Sequence, residues 1–449
     1  MTASFHMPRK ALVAGGIFAA ALILFTSAAM ASDVGKRFPP EMRTFVDATT
    51  GVTVTALTTG TFNDAKFYQT HPQWTSDGKY VVFRSNRGAG GHGGAFAVSV
   101  TTGEIIQLTD GGANVGSVAR KSNKLYFFRG GMGTPSQLFE LNLDPLLADS
   151  KAGTMKDPAS YERAIGSIPP DLRDAGGFTL DADEKVGYIG VGKAQPGGGR
   201  GGPPPQPGQP RPPRPAMPPQ PAWGGIRQID LQTGAVTKVV DVPFQMGHIQ
   251  ANPYVPGEVM YCHETGGDAP QRMWITRSDG SENRPLYKET PDEWVTHEAW
   301  VDKDHVYFVV MAHEHSLRTK PTGIFSINVR TDEVRVLGQV DVKGTVRGRD
   351  GLVDGQGFWH CNGSPDGKWA VGDTFAGNVY LIYVPTGEIT LLTAGHKDAP
   401  DHPHPSFSPD SKQIEIESGI LHDFKNLNLL TITIPFELQR RVQQPLGQQ

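Results

Sequence analysis

A pair of histidines near the carboxyl end is the clearest chemical signal in this sequence. They stand in the segment Asp401-His402-Pro403-His404-Pro405. Alternate residues of an extended strand point to the same side, and a residue that precedes a proline is biased toward extended backbone. The two imidazoles are therefore predicted to converge on one point. Such a pair is either part of a metal site or a hydrogen-bonded structural pair, and the spacing alone leaves both open.

Two more histidines stand near the start of predicted strands, in Thr296-His297-Glu298 and in Trp359-His360-Cys361. If each strand begins near a common axis, these side chains line one funnel together with the first pair. Three or four neutral imidazoles suit Mn²⁺, Zn²⁺ or a similar ion better than Ca²⁺, which prefers oxygen ligands. Glu298 is predicted to orient one imidazole from behind.

A repeating unit of short strands must position these residues. Asp-Gly turns that join apolar strands occur at Asp77-Gly78 and Asp366-Gly367, and Thr-Gly turns recur at Thr102-Gly103, Thr233-Gly234 and Thr386-Gly387. Asp-Gly between such strands is a strong hairpin signal, and units of roughly 40 to 60 residues are typical of propeller blades. The sequence thus predicts an all-β, seven-bladed β-propeller. Its blades are expected near residues 70–110, 113–145, 176–242, 247–289, 296–340, 358–394 and 402–436.

The amino-terminal part has two predicted roles. Residues 1–31 resemble an export signal, with Arg9 and Lys10 before an apolar run and cleavage expected after Ala31. An uncleaved membrane anchor is the alternative. Residues 45–58 are expected to add outer strands to the last blade, because ring closure removes an unpaired sheet edge. The mature protein is predicted to be periplasmic or secreted.

The propeller is expected to span residues 32–436, with two segments outside its regular strands. Residues 194–222, almost wholly Pro, Gly, Gln and Arg, predict an inserted loop in the third blade. Residues 437–449 predict a flexible tail, and a partly helical excursion is expected over residues 144–171.

Composition limits the possible partners. The formal net charge of −4 and pI near 6.4 provide no basic footprint for nucleic acid. No apolar run after the export signal is long enough for stable membrane insertion. Cys262 and Cys361 are too few for a disulfide framework; they are either one disulfide or two buried free thiols.

Six short motifs resemble the oligogalacturonate lyases of polysaccharide lyase family 22. In chain order they are Phe67-Tyr68-Gln69, Gly247-His248, Cys262-His263-Glu264, Arg272-Met273-Trp274, Thr296-His297-Glu298-Ala299-Trp300 and His402-Pro403-His404-Pro405-Ser406-Phe407. They extend over nearly the whole mature chain. The resemblance implies a seven-bladed propeller, a manganese site, and cleavage of short acidic uronate oligosaccharides by β-elimination, which produces an unsaturated uronate.

The resemblance also implies roles for individual residues. His297, His402 and His404 would bind the metal, and His248 would abstract the proton. Arg272 is expected to clamp a substrate carboxylate; weaker candidates for substrate contact are Tyr68, Gln69, His71 and Arg84. The family has a metal-binding glutamine where this chain has Ala399, so His360, Asp401 or a water is expected to complete the ligand set.

Two other functions fit the same pattern. Ser-Pro-Asp-Gly-Lys repeats also occur in non-catalytic propellers such as TolB, which would bind a periplasmic protein or glycan and need no metal. A lyase that acts on a different acidic glycan is the other alternative. The sequence indicates neither the identity and length of the uronate nor the oligomeric state.

Overall fold

The computed structural model describes most of the chain after the predicted export signal. The described residues are 32–88, 93–131, 134–193, 223–265, 269–291, 293–312, 322–340, 345–348, 351–354, 357–397 and 401–443. The predicted export signal, the predicted inserted loop and Ala399 lie outside these residues. Within them, no helix has the length and apolar character needed to cross a membrane.

The described structure is built almost entirely from antiparallel strands. In chain order these are β1 (Arg37–Phe38), β2 (Arg43–Val46), β3 (Thr53–Ala56), β4 (Tyr80–Ser85), β5 (Gly94–Ser99), β6 (Ile105–Gln107), β7 (Asn114–Val118), β8 (Lys124–Gly131), β9 (Thr134–Asn142), β10 (Glu162–Ser167), β11 (Leu172–Leu180), β12 (Val186–Lys193), β13 (Gly224–Asp230), β14 (Val236–Val242), β15 (Met246–Ala251), β16 (Glu258–His263), β17 (Met273–Arg277), β18 (Arg284–Pro285), β19 (Glu293–Trp300), β20 (His305–Ala312), β21 (Gly323–Asn328), β22 (Val334–Gly338), β23 (Thr345–Gly348), β24 (Gly351–Asp354), β25 (Phe358–Gly363), β26 (Trp369–Thr374), β27 (Val379–Tyr383), β28 (Glu388–Thr393), β29 (Ser406–Phe407), β30 (Gln413–Ser418) and β31 (Asn428–Thr433). Two helices, α1 (Leu143–Ala152) and α2 (Phe436–Gln443), accompany them.

The strands form seven blades and one separate hairpin. Six blades have four strands in the orders β1-β6-β5-β4, β10-β9-β8-β7, β11-β12-β13-β14, β15-β16-β17-β18, β19-β20-β21-β22 and β25-β26-β27-β28, and the seventh has five, β2-β3-β31-β30-β29. The hairpin is β23-β24. The predicted seven-bladed propeller is thus confirmed.

The amino-terminal segment joins the first and last blades. As predicted, β3 pairs with β31, with Val54 opposite Ile432. In addition, β1 pairs with strand β6 of the first blade. The Arg37 guanidinium forms an ion pair with the Glu104 carboxylate at this edge. The sequence did not predict this pairing. One stretch of chain therefore covers the outer edges of both blades.

Two parts of the chain are more regular than predicted. Beyond α1, β10 pairs with β9 and completes the second blade, which therefore extends past residue 145. The first residues of the predicted flexible tail form α2 instead, because the Pro435 carbonyl accepts from the Leu438 N–H at 3.0 Å and the Leu438 side chain packs against the core between the sixth and seventh blades.

Bulges interrupt the innermost strands, and they decide where the site forms. The pairing register shifts between Gly247 and Gln250 in β15, between Thr296 and Ala299 in β19, and between Phe358 and Cys361 in β25. A bulge adds an unpaired residue and redirects its side chain. The residues within these bulges include His248, His297 and His360.

Candidate metal centre

Four of the predicted site histidines have left-handed backbone. Their φ angles are 48° for His248, 55° for His297, 43° for His402 and 46° for His404. Residues other than glycine adopt this region rarely, and it costs roughly 1–3 kcal/mol when surrounding structure enforces it. Such strain concentrates at functional sites, which gives these four positions a shared structural signature.

The predicted backbone of the His402–His404 segment is wrong in one respect. Both histidines are left-handed rather than extended, and β29 begins only at Ser406. The hydrogen bonds to the His404 backbone described below hold this conformation against the extended preference of a residue before proline. The two rings still lie close, with centroids 5.5 Å apart and planes 19° from parallel.

The histidines meet at one end of the ring of blades. Ligand nitrogens of His360, His402 and His404 all lie within 4.8 Å of one another, and the His297 ring centroid is 4.2 Å from that of His360. The Tyr68 ring lies among them, 5.1 Å from His404 and 6.5 Å from His297. The predicted convergence of side chains from separate blades therefore holds.

Asp373, on β26, supports two of these histidines from behind. Its carboxylate accepts from the His360 backbone N–H at 2.8 Å and lies 3.0 Å from His360 Nδ1 through either oxygen. It also accepts from the His404 backbone N–H at 3.2 Å. This arrangement holds a proton on His360 Nδ1 and leaves Nε2 as the nitrogen with a lone pair. Burial raises the pKa of Asp373 to about 6.

Lys66 and Glu417 support His404 in the same way. The Lys66 ammonium donates to the His404 carbonyl at 2.8 Å, while Glu417 lies 3.3 Å from His404 Nδ1 and accepts from the Lys66 backbone N–H at 2.9 Å. Burial lowers the pKa of the Lys66 ammonium and raises the pKa of Glu417 to about 7. The sequence analysis missed Asp373, Lys66 and Glu417.

The electrostatic environment fits a divalent metal. Burial lowers the pKa values of His297 and His360 well below the usual range, and that of His404 to about 3. These imidazoles are therefore neutral at pH 7, and neutral imidazole is the form that binds metals. His297 Nδ1 is also buried without a hydrogen bond of good geometry. A nitrogen-rich donor set of this kind suits borderline divalent ions.

His248 lies beside this cluster in a different setting. Its Nε2 is 3.4 Å from a carboxylate oxygen of Glu264, and its ring centroid is 4.9 Å from that of Tyr68. A nearby carboxylate favours the imidazolium that forms when a histidine takes up a proton. The geometry thus suits His248 to accept a proton next to the metal-type histidines.

Arg272 is engaged with protein carboxylates. Its guanidinium donates to Glu298 at 3.0 Å and lies 4.0 Å from Glu264, and the side chain is buried. This differs from the predicted clamp on a substrate carboxylate, because Glu298 and Glu264 already balance its charge. Glu298, predicted to orient an imidazole, instead faces Arg272, and its backbone carbonyl accepts from the Gln250 amide at 2.7 Å.

Several buried polar atoms around the cluster have no hydrogen bond of good geometry among the described residues. They are the Tyr68 hydroxyl, both polar atoms of the Gln69 amide and the Trp359 indole N–H. Buried polar groups normally have a partner, so these atoms mark a place for water or a ligand. The expected substrate contacts of Tyr68 and Gln69 stay a prediction.

The remaining predicted residues, Arg84 and His71, have different surroundings. Arg84 is exposed and donates to the Lys66 carbonyl at 3.2 Å, next to the cluster. His71 instead lines a cavity beside the cluster, where its Nε2 is 3.2 Å from the Phe178 carbonyl. Burial lowers its pKa to about 4.

Asp401 and the two cysteines have structural contacts. The Asp401 carboxylate accepts from Ser418 Oγ at 2.7 Å and from the Gly419 N–H at 2.9 Å, so it fixes the loop before His402. Cys262 and Cys361 are buried free thiols, which decides between the two alternatives for them. The Cys361 thiol donates to the His297 carbonyl at 3.3 Å.

Sequence comparisons identify similar proteins over the middle of the chain. The oligogalacturonate lyase family model matches residues 220–344. The oligogalacturonate lyase of Dickeya dadantii (strain 3937) is 30% identical over 207 residues, and the oligogalacturonide lyase of Pectobacterium atrosepticum is 26% identical over 212 residues. Each alignment covers 43% of this chain and 52% of the relative. The chain thus matches about half the length of these curated relatives.

Structure comparisons cover nearly the whole propeller. A solved structure described as an oligogalacturonate lyase in complex with manganese is 21% identical, with a TM-score of 0.69 over 91% of this chain and 100% of that one. An oligogalacturonate lyase from Vibrio parahaemolyticus is 20% identical, with a TM-score of 0.66 over 90% and 99%. At this identity the matches establish the fold. Together with the family match, they confirm that this chain resembles the oligogalacturonate lyases.

Proposed function

We propose that this protein is a metal-dependent lyase that cleaves short uronate oligosaccharides, with oligogalacturonate as the first candidate substrate. The observation that carries the proposal is the meeting of His297, His360, His402 and His404 beside His248. The family match over residues 220–344 and its two curated relatives support the reaction type. A non-catalytic propeller would not need several strained, buried imidazoles at one point.

The bound ion is proposed to be divalent, with Mn²⁺ the first candidate because the similar solved structure carries manganese. His297, His402 and His404 would bind it, and His360 would supply the nitrogen that replaces the glutamine found where this chain has Ala399. When bound, such an ion would supply Lewis-acid stabilisation of negative charge on the uronate carboxylate.

His248 is proposed to remove the proton from C5 of the uronate. The C5–H bond breaks, its electron pair forms the C4–C5 double bond, and the oxygen on C4 leaves as the glycosidic bond breaks. Glu264, 3.4 Å from His248 Nε2, stabilises the imidazolium that results. Arg272 holds Glu264 and Glu298 in place through its guanidinium, so we assign it a positioning role in place of the expected clamp.

Substrate contacts are proposed for groups without a protein hydrogen bond of good geometry. The Tyr68 hydroxyl and the Gln69 amide are available to bind sugar hydroxyls, and the exposed Arg84 can bind a second uronate carboxylate. His71 lines the cavity beside the cluster instead. Because residues 1–31 resemble an export signal, we place the reaction in the periplasm or outside the cell, on fragments released from pectin.

The decisive assay follows the new double bond. Purified protein with Mn²⁺ and trigalacturonate should produce rising ultraviolet absorbance, and His248→Ala should reduce the rate by about 10²–10⁴-fold while it retains bound metal. His305→Ala is a matched control, because His305 pairs with Asp302 at the surface of the fifth blade and should leave the rate unchanged. No absorbance change with any uronate oligomer, in protein loaded with metal, would refute the lyase.

A further inference from the structure

A cavity lies beside the histidine cluster, and its lining includes none of the candidate metal ligands. It is open to solvent and includes Thr179, Gln250 and Trp300 in its lining. In β15 the cavity residue Gln250 comes after the bulge residue His248, and in β19 the cavity residue Trp300 comes after the bulge residue His297. The cavity is thus near the carboxyl ends of the inner strands.

Most charged groups that line this cavity are already bound to protein. Glu184 accepts from the Lys121 N–H at 2.6 Å and from Ser122 Oγ at 2.7 Å. Asp181 accepts from the Gly257 N–H at 3.0 Å, and the Lys121 ammonium donates to the Ala182 carbonyl. The hydrogen bonds fix the two carboxylates in place but leave their negative charge, which Lys121 offsets in part.

Arg120 is the exception. It lines the cavity and its side chain is exposed, yet the described residues provide its guanidinium with no hydrogen bond or ion pair. The protein around it lowers its pKa through desolvation, but an arginine remains charged at neutral pH. Glu184 attracts this charge from nearby, but no described residue accepts a hydrogen bond from the guanidinium. Its fork of N–H groups can therefore bind a carboxylate at the wall of the cavity.

The rest of the lining suits a sugar. Thr70, Ser117 and Thr179 place hydroxyl groups around the cavity, while Trp300 and Pro253 provide apolar surface. Each hydroxyl has one donor and two acceptor positions, so capacity remains after the hydrogen bonds that these side chains make to the protein.

We infer that this cavity binds a small sugar acid, with Arg120 holding the carboxylate. The choice of a uronate as the sugar rests on the proposed function, whereas the anion site itself follows from the geometry around Arg120. The site is separate from the catalytic histidines, so it would hold a product or a remote unit of substrate rather than the bond that is cleaved.

Calorimetric titration with galacturonate tests the inference without any need for catalysis. The full-length His402→Ala/His404→Ala variant removes two candidate metal ligands, and it should still bind galacturonate. Adding Arg120→Met should weaken that binding at least tenfold, while adding Arg335→Met should not, because Arg335 lies on the outer strand of the fifth blade and donates to the Val384 carbonyl. Arg84→Met tests the alternative position of the sugar next to the histidine cluster. Galactose, which lacks the carboxylate, should bind at least tenfold more weakly than galacturonate.

The outcomes separate this inference from the lyase proposal. Equal galacturonate affinity with and without Arg120→Met, or no saturable binding, would overturn the cavity site even if wild-type protein forms unsaturated uronate. Weakening by Arg84→Met alone would place the bound sugar next to the histidine cluster and also overturn it. Conversely, Arg120-dependent binding in a protein without lyase activity would support the cavity site and refute only the enzyme. Unchanged thermal unfolding of the variants controls for folding.

Discussion

Asp373→Asn tests whether the candidate metal centre depends on the carboxylate behind it. Asp373 contacts the His360 backbone N–H at 2.8 Å, His360 Nδ1 at 3.0 Å and the His404 backbone N–H at 3.2 Å. An asparagine retains one accepting oxygen but replaces the other with a donor. That donor would face either the His404 N–H or the His360 backbone N–H, so at least one contact becomes repulsive.

The expected magnitude follows from these contacts. A hydrogen bond to a charged group contributes roughly 1.5–3 kcal/mol, and each 1.4 kcal/mol is a factor of about ten in affinity. Loss of one such contact in the metal-bound state should therefore weaken Mn²⁺ binding about 10–100-fold, the range usual for residues that orient metal ligands. Competition with a fluorescent chelator measures this affinity directly and needs no substrate.

Asp366→Asn provides a matched control on the same blade. Asp366 lies in the turn before β26, where its carboxylate accepts from Ser364 Oγ at 2.6 Å and from the Lys368 N–H at 3.1 Å. Its substitution should leave Mn²⁺ affinity unchanged. If Asp373→Asn binds Mn²⁺ within twofold of wild type and keeps its fold by circular dichroism, the assigned role of Asp373 is incorrect.

Three further predictions address the metal ligands, buried charge and a tight turn. His360→Ala should lower the Mn²⁺ bound per chain, measured by elemental analysis; wild-type metal content would exclude His360 as a ligand. Burial raises the pKa of Glu415 from 4.5 to about 7. Between pH 4.5 and pH 7 the folded state therefore binds more protons than the unfolded state. The stability of the wild-type protein consequently falls as the pH rises through this range. Glu415→Gln should remove about 3 kcal/mol of this fall, measured by urea unfolding at pH 4 and pH 8; an equal fall in both proteins would contradict the burial effect. Gly377→Ala should destabilise the fold by more than Gly367→Ala in the same assay. Both glycines have φ near 70°, but only at Gly377 would a Cβ lie 1.7 Å from the His396 carbonyl oxygen. Equal losses of stability would show that the backbone at Gly377 shifts to relieve this clash.

The fold could be predicted because its signals are local. Asp-Gly and Thr-Gly turns mark hairpins whatever the rest of the chain does, and the turns at Gly78, Gly103, Gly234, Gly367 and Gly387 all have the positive φ that this argument requires. The pairing of β1 with β6 could not be predicted in the same way. A strand of two residues has no periodicity, and its partner lies about 70 residues away in sequence.

The histidines were visible in the sequence, but their supporting residues were not. Asp373 lies in the strand Trp369–Thr374, whose residues are all buried, and sequence alone does not reveal which face a carboxylate meets. Glu415 and Glu417 alternate with isoleucines in β30, a pattern that predicts an exposed polar face. Both are buried instead, because Lys66 from the first blade faces them across the ring closure. Such contacts depend on which blades are neighbours.

The left-handed backbone of the histidines explains why these hidden residues matter. Each strained position costs roughly 1–3 kcal/mol, and that cost must be offset by fixed contacts on either side of it. His404 has such contacts on both its backbone groups, since Asp373 accepts from its N–H and Lys66 donates to its carbonyl. His297 has one, since the buried Cys361 thiol donates to its carbonyl. The same contacts that maintain the strain also hold the imidazoles near their positions before any ion binds, so less conformational freedom remains to be lost on binding.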